Sequence, residues 1–145
     1  MLPELRFTEA RGRFSAIFDN VWSLLQPTVV VRRRKHEDIL MLRRDLQQNI
    51  ILSAYRFPVK ITRESDKSYT LTIDALELWA NAETLEAAVA QLVADLKEYA
   101  LSYANNAQLY LNSPNRRQHF PYVLRILMCD SDKEIEHLLE LENAS

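Results

Sequence analysis

The sequence is short of the residues on which most enzyme sites depend. Its 145 residues include one glycine, Gly12, and one cysteine, Cys129. A single glycine excludes the glycine-rich loops that bind phosphate groups and the tight turn that exposes a nucleophilic serine. The three histidines, His36, His119 and His137, are far apart and lack the i, i+4 spacing of a helical metal site. We therefore expect no catalytic residues, no metal site and no cofactor, and a protein that is not an enzyme.

Long hydrophobic runs are also missing. No apolar stretch approaches the roughly 18 residues that a membrane-spanning helix needs, so we expect no membrane partner. The first 14 residues carry charges where a signal peptide has its apolar centre. One cysteine cannot form an internal disulfide, and RILMCD around Cys129 favours a small buried hydrophobe over a reactive thiolate. These features predict a cytoplasmic protein.

The charge is divided unevenly along the chain. Residues 1–56 hold 10 Lys and Arg against 6 Asp and Glu, whereas residues 57–145 hold 8 against 14. The division predicts two domains at this boundary, the first with a polyanionic partner and the second with a basic protein partner. The alternative is that the asymmetry reflects only two solvated surfaces.

The first half has the pattern of an αββα unit. Thr8 can cap a helix with Glu9 in its first turn, and Pro27 ends it. Apolar residues at helical spacing predict one buried stripe on this helix, made of Phe14, Ile17, Phe18, Val21 and Leu25. The apolar runs 28–31 and 39–42 flank the polar segment RRRKHED and predict a hairpin, and a second helix follows to about Tyr55.

The second half predicts a βββα unit with further helices, so the whole chain belongs to the α+β class. Residues 57–62 and 69–73 alternate as a hairpin, and LELWA adds a third strand. A long amphipathic helix follows Thr84, an N-cap residue. Ser113-Pro114 begins another helix, which Pro121 kinks or divides. SDKE at 131–134 is a capping box that opens a last helix over residues 131–142.

FTEARGRFSAIFDNV followed by QPTVVVRRRKHEDILML resembles the Phd/YefM ("prevent-host-death") antitoxin family over about residues 1–55. Thr8 to Arg11 reproduce its S/T-E-A-R helix motif, and Arg32 matches the arginine that closes the first strand. The turn RRKHED is longer and more charged than the family pattern, and Leu42 stands where a serine N-cap usually opens the next helix. The segment from SYTLTI to KEYA is weakly similar to HicB-type antitoxin domains. Together the two resemblances are closest to a PHD-like antitoxin of a RelE/RelB-type system.

The resemblance implies a homodimer that binds operator DNA as a repressor and neutralises a RelE-like ribonuclease toxin. Arg11 and Arg32 would read or clamp the DNA, because a guanidinium can pair with both phosphate and guanine. Arg13 is a further candidate, although it lies about 200° around the helix from Arg11. Sequence-independent attraction would come from the hairpin tip, Arg33, Arg34 and Lys35. The alternative is a solvated turn in which the negative charges of Glu37 and Asp38 balance these cations.

The acidic half is the candidate toxin-binding part. Within the predicted last helix, Ile135 and Leu138 would be apolar anchors, surrounded by acids that include Glu134 and Glu140. The alternative is that this helix packs on the core of its own domain. A different alternative for the whole chain is a protein-interaction adaptor that keeps the antitoxin-like fold but does not bind DNA.

Overall fold

A computed structural model of the chain describes residues 1–33 and 36–142. The chain forms two compact units, Met1–Ile50 and Ile51–Ser145. The division lies a few residues before the boundary expected from the charge pattern, inside a helix that begins at Arg44. The assignment of DNA binding and toxin binding to separate halves stays a prediction.

The first unit begins with a strand, β1 (Glu4–Arg6), and two short helices, α1 (Phe7–Gly12) and α2 (Phe14–Ser23). A hairpin of β2 (Thr28–Arg32) and β3 (Glu37–Met41) follows, and α3 (Arg44–Ala54) begins next. The strands form a sheet in the order β1-β2-β3, in which β1 runs parallel to β2 and β3 antiparallel to it. The hairpin and the helix after it are confirmed, whereas β1 was not predicted.

The predicted first helix is wrong in its start, its continuity and its end. Helix α1 begins at Phe7, and its N-cap residue is Arg6, which makes no side-chain capping bond; Thr8 lies inside the helix. The chain leaves helical geometry at Arg13, directly after Gly12, which is the weakest helix former in this stretch. Helix α2 then ends at Ser23, several residues before Pro27.

The core of the first unit is small. Ala10, Ile17 and Val21 are buried together, and the partly buried residues packed against them are Leu5, Val30 and Met41. Of the predicted apolar stripe only Ile17 and Val21 lie in this core. Phe14 and Phe18 are 56% and 55% exposed, so the prediction that they are buried is wrong.

The second unit is a four-stranded sheet in the order β6-β5-β4-β7, with helices packed against it. Its strands are β4 (Phe57–Arg63), β5 (Tyr69–Ile73), β6 (Leu78–Ala82) and β7 (Leu139–Glu142), with a 3-10 turn at Asp74–Leu76. The helices are α4 (Leu85–Asn105), α5 (Ala107–Leu111), α6 (Pro114–Arg117), α7 (Phe120–Leu127) and α8 (Asp132–Leu138). The α+β class is confirmed. None of the helices in the described part of the chain combines the length and the apolar character of a bilayer-spanning segment.

Two predicted helix caps are present. The Thr84 hydroxyl oxygen accepts a hydrogen bond from the Ala87 amide at 3.1 Å, and Ser131 accepts one from the Glu134 amide at 3.2 Å. The last helix is nevertheless shorter than predicted, because it ends at Leu138. The next four residues, LELE, form β7, which runs parallel to β4 with Leu139 opposite Phe57. Their alternation of apolar and acidic residues suits a strand better than a helix.

Candidate nucleic-acid interface

Arg32 is the last residue of β2, and the register of the hairpin places it opposite Glu37, the first residue of β3. Cross-strand partners project to the same face of a sheet, so the two side chains meet. The Arg32 Nε donates to Glu37 Oε2 at 2.5 Å. Both side chains are about half exposed, at 53% and 41%. The strand end therefore holds an accessible guanidinium in a fixed position.

Phe7 provides the second contact of Arg32. The first turn of α1 begins where β1 ends, and β1 lies beside β2, which brings Phe7 next to the end of β2. The central carbon of the Arg32 guanidinium lies 5.6 Å from the centroid of the Phe7 ring, within the range of a cation–π contact. Neither terminal nitrogen of Arg32 makes a hydrogen bond to any residue that the structure describes. These two nitrogens remain available for a ligand.

A cleft with a volume of about 620 Å³ lies beside this arginine. Arg32 and Phe7 form part of its wall, and the other lining residues are Glu4, Leu5, Arg6, Thr8, Val31 and Arg33. Three of its lining residues are arginines and one is an acid, so it favours an anionic group. Its size is sufficient for a phosphodiester or for the edge of a base.

Among the other predicted DNA-binding residues that the structure describes, Arg33 lines this cleft, whereas Arg11 and Arg13 do not. Arg33 lines it, is 77% exposed in its side chain, and lies with Nη1 3.6 Å from Glu37 Oε1. Arg11, in the last turn of α1, and Arg13, at the break between the helices, are exposed but do not line the cleft. The 200° separation assumed for them does not apply, because the helix is interrupted at Arg13. Arg34 and Lys35 lie outside the described residues.

The predicted toxin-binding residues do not form one exposed face. Ile135 and Leu138 are 4% and 7% exposed and belong to the core of the second unit, so the prediction that they are surface anchors is wrong. Glu134 accepts a hydrogen bond from the Asp130 amide at 2.7 Å. Glu140 lies on β7, and its hydrogen bond from Arg56 lowers the pKa of its carboxyl group. A role for Glu134 and Glu140 in toxin binding stays a prediction.

Two further titratable side chains of the second unit are His119, which is buried, and Cys129, which is partly buried. His119 is fully buried, and its Nδ1 lies 2.6 Å from the Tyr99 hydroxyl oxygen. Burial, together with the nearby charge of Arg116, lowers the pKa of His119. Burial raises the pKa of the Cys129 thiol, which favours its protonated form. Within the described ranges no group of three or more His, Cys, Asp or Glu residues could hold a metal ion.

Sequence reasoning missed Phe7 and Arg6 as parts of the cleft. Both belong to LRF, which is too short for an alternating pattern to be distinguished from coil, and β1 is therefore not visible in the sequence. The signal that could have revealed them is the aromatic residue directly before TEAR, because an exposed Phe beside an arginine-rich hairpin end is a candidate cation–π partner.

Comparison with known proteins gives a consistent result. The sequence model of a PHD-like family, described as antitoxin of toxin–antitoxin, RelE/RelB, TA system, matches residues 1–141. The chain is also similar to a crystal structure of an antitoxin part of a proposed toxin/antitoxin system from Syntrophomonas wolfei subsp. wolfei. The TM-score is 0.84 at 26% sequence identity, and the match covers 97% of this chain and 99% of the other. No curated protein matches the sequence significantly.

Proposed function

Because the chain belongs to the PHD-like family of antitoxins of RelE/RelB toxin–antitoxin systems, we propose that it represses transcription as a dimer bound to operator DNA. We further propose that it neutralises a RelE-like ribonuclease toxin by binding it directly. Family membership implies a cognate toxin and a regulatory role. The more specific Phd/YefM and HicB-like resemblances stay predictions.

The observation that carries the DNA-binding proposal is the position of Arg32. An exposed arginine stands at the end of a strand with its terminal nitrogens available, beside a cleft lined also by Arg6 and Arg33. Phosphate contacts require cations that can approach the duplex, and base contacts require a side chain that can enter a groove. Arg11, on α1, and Arg13, between α1 and α2, add exposed cations in the same unit.

The dimer proposal is supported by apolar surface on α2. Phe14, Phe18 and Trp22 recur at intervals of four residues and are 55–57% exposed, with the Phe14 and Phe18 ring centroids 6.5 Å apart. They lie beside Ile17 and Val21, which the unit's own core covers. A continuous aromatic row on a small unit is unusual for a monomer and suits contact with a second copy.

The toxin-binding proposal is supported by the acidity of the second unit. RelE-type toxins are basic, so an acidic surface would attract them and could cover their RNA-binding cleft. Because Ile135 and Leu138 are buried, the contact would use accessible side chains, of which Glu134, which is exposed, and Glu140, which is partly exposed, are candidates.

A gel-shift series on the protein's own promoter tests the repressor proposal. The Arg11→Ala/Arg32→Ala variant should bind this DNA far more weakly than the wild type. The matched control is Arg117→Ala/Lys133→Ala, which removes the same charge from the second unit and should bind normally. If the first variant binds as well as the wild type, the chain is not a repressor of this kind.

The toxin proposal has a separate test. A small basic protein encoded next to this chain should arrest growth when expressed alone, and co-expression of this chain should restore growth and yield a co-purifying complex. The alternative function, an adaptor without DNA binding, predicts that complex but no salt-sensitive DNA binding, since phosphate contacts must weaken with salt.

A further inference from the structure

We infer that Phe7 and Glu37 are positioning residues, which hold the Arg32 guanidinium in the orientation needed to hydrogen-bond a base. They would thereby determine the specificity of the protein for its operator and not only its affinity for DNA. The inference rests on the proposed DNA-binding function and adds to it the residues that give Arg32 its geometry. Its physical basis is that the two contacts of Arg32 use only part of the guanidinium group and leave its terminal nitrogens without a partner among the described residues.

A guanidinium group has five N–H donors in one plane and two faces. Glu37 accepts from Nε, the donor nearest the main chain, and the guanidinium carbon lies over the Phe7 ring. The two terminal nitrogens have no hydrogen-bond partner among residues 1–33 and 36–142. What remains is the outer edge, with two parallel donors, which is the arrangement that pairs with O6 and N7 of a guanine in the major groove.

Fixing the side chain matters because a free arginine has several rotatable bonds. A flexible guanidinium can follow any nearby phosphate, and then it contributes attraction without sequence information. Arg33 illustrates this second case, since its side chain is 77% exposed and its Nη1 lies 3.6 Å from Glu37. The two neighbouring arginines therefore take different roles: Arg32, with its 2.5 Å hydrogen bond, is held in place for a base, and Arg33, more exposed and more loosely paired, can turn towards phosphate.

The contact with Arg32 also explains why Glu37, an acid, is present at a basic hairpin end. For general attraction to DNA a carboxylate at this position is unfavourable, because it repels phosphate. Its carboxylate contacts Arg32 and Arg33 instead. The structure thus gives Glu37 a role in orientation that outweighs its unfavourable charge.

The test compares Glu37→Gln with Asp38→Asn. Both variants remove one negative charge from adjacent positions of β3, but Asp38 is paired with Val31 in the register and not with Arg32. Both should bind random-sequence DNA more tightly than the wild type. Only Glu37→Gln should lower the ratio of operator binding to random-DNA binding, by about tenfold, which is the scale of discrimination that one bidentate pair supplies. Phe7→Leu should lower the same ratio while circular dichroism shows an unchanged fold.

A base substitution gives an independent readout. Operators in which single guanines are replaced by 7-deazaguanine lack the N7 acceptor. One such replacement should weaken the wild type but have no effect on Arg32→Ala or Glu37→Gln. If the wild type binds its operator specifically and Glu37→Gln keeps the specificity ratio of Asp38→Asn, the inference is overturned. If the wild type does not bind its promoter at all, the proposed function fails instead.

Discussion

The guanidinium of Arg43 lies over the indole ring of Trp22, with its central carbon 5.0 Å from the ring centroid. Its Nη1 donates to the Trp22 carbonyl oxygen at 3.2 Å, in the last turn of α2. Asp45, in the first turn of α3, accepts from Arg43 Nε at 2.6 Å and from Nη2 at 2.7 Å. One arginine therefore joins the end of one helix to the start of the next, and it satisfies a carbonyl that α2 leaves without an intrahelical partner.

Replacing Arg43 by Lys should destabilise the first unit, because an ammonium group cannot make the bidentate pair and the carbonyl contact together. Trp22→Leu should have a smaller effect, and the double variant should be less destabilised than the sum of the two. The measurement is thermal unfolding of the wild type, the two single variants and the double variant, followed by circular dichroism. Additive effects would mean that the two side chains do not interact.

The stability that the ion pair of Arg43 and Asp45 contributes depends on pH. The hydrogen bond from Arg43 lowers the pKa of Asp45 below its ordinary value of 3.8. The folded state therefore holds this proton less readily than the unfolded state, so the stabilisation is complete above about pH 4 and is lost as the pH falls through the lowered pKa. The difference in unfolding free energy between the wild type and Arg43→Lys should therefore shrink as the pH falls below the lowered pKa of Asp45.

Helix capping gives a prediction with an internal control. Thr84 caps α4 through the 3.1 Å bond to Ala87, whereas Ser113 stands before α6 without a side-chain capping bond. Thr84→Ala should lower the free energy of unfolding by about 1 kcal/mol, since one amide donor loses its partner. Ser113→Ala should cost clearly less. Chemical denaturation measures both, and equal losses would contradict the assignment of the cap.

These elements also show how far the sequence could predict the fold. Thr84 and the long helix behind it were predicted because a strong cap precedes seven apolar residues at helical spacing. Strands β1 and β7 were not, because each has three or four residues and takes its place through a parallel partner distant in sequence. The residue pattern of such a short segment carries no information about the distant strand with which it pairs. Of the candidate site, Arg32 was named from its motif, whereas Phe7 was not, because only β1 brings Phe7 next to Arg32. The DNA-binding role of Arg32 stays a prediction.

The interior of the second unit predicts a response to acid. His119 is buried beside Tyr99, and its charged neighbours are Arg116 and Glu77. Burial, with a smaller effect of Arg116, lowers its pKa from the ordinary 6.5. Protonation is therefore easier in the unfolded state, so the stability associated with His119 is complete above pH 6.5 and is lost as the pH falls below it.

The check is the slope of stability against pH between about 7 and 5. His119→Phe should flatten this slope relative to the wild type, whatever its effect on stability at neutral pH. The control is His137→Gln, which removes an exposed histidine from the same unit and shows whether the loss of any histidine flattens the slope. A slope in His119→Phe equal to that of the wild type would show that folding does not change the proton affinity of His119.

The exposed aromatic row on α2 leads to the last prediction, which concerns the proposed dimer. Phe18 is 55% exposed and lies outside the core of its unit, so Phe18→Glu should not unfold the unit. A charge at the centre of an apolar interface would be desolvated without a partner, and the dimer should dissociate. Light scattering should then give half the mass of the wild type, and operator binding should weaken because a monomer contacts one half-site. The matched control is Leu109→Glu, which places the same charge at a 68% exposed leucine of the second unit and should leave the mass unchanged. An unchanged mass in Phe18→Glu would mean that the α2 row does not form the interface, even if the wild type is a dimer.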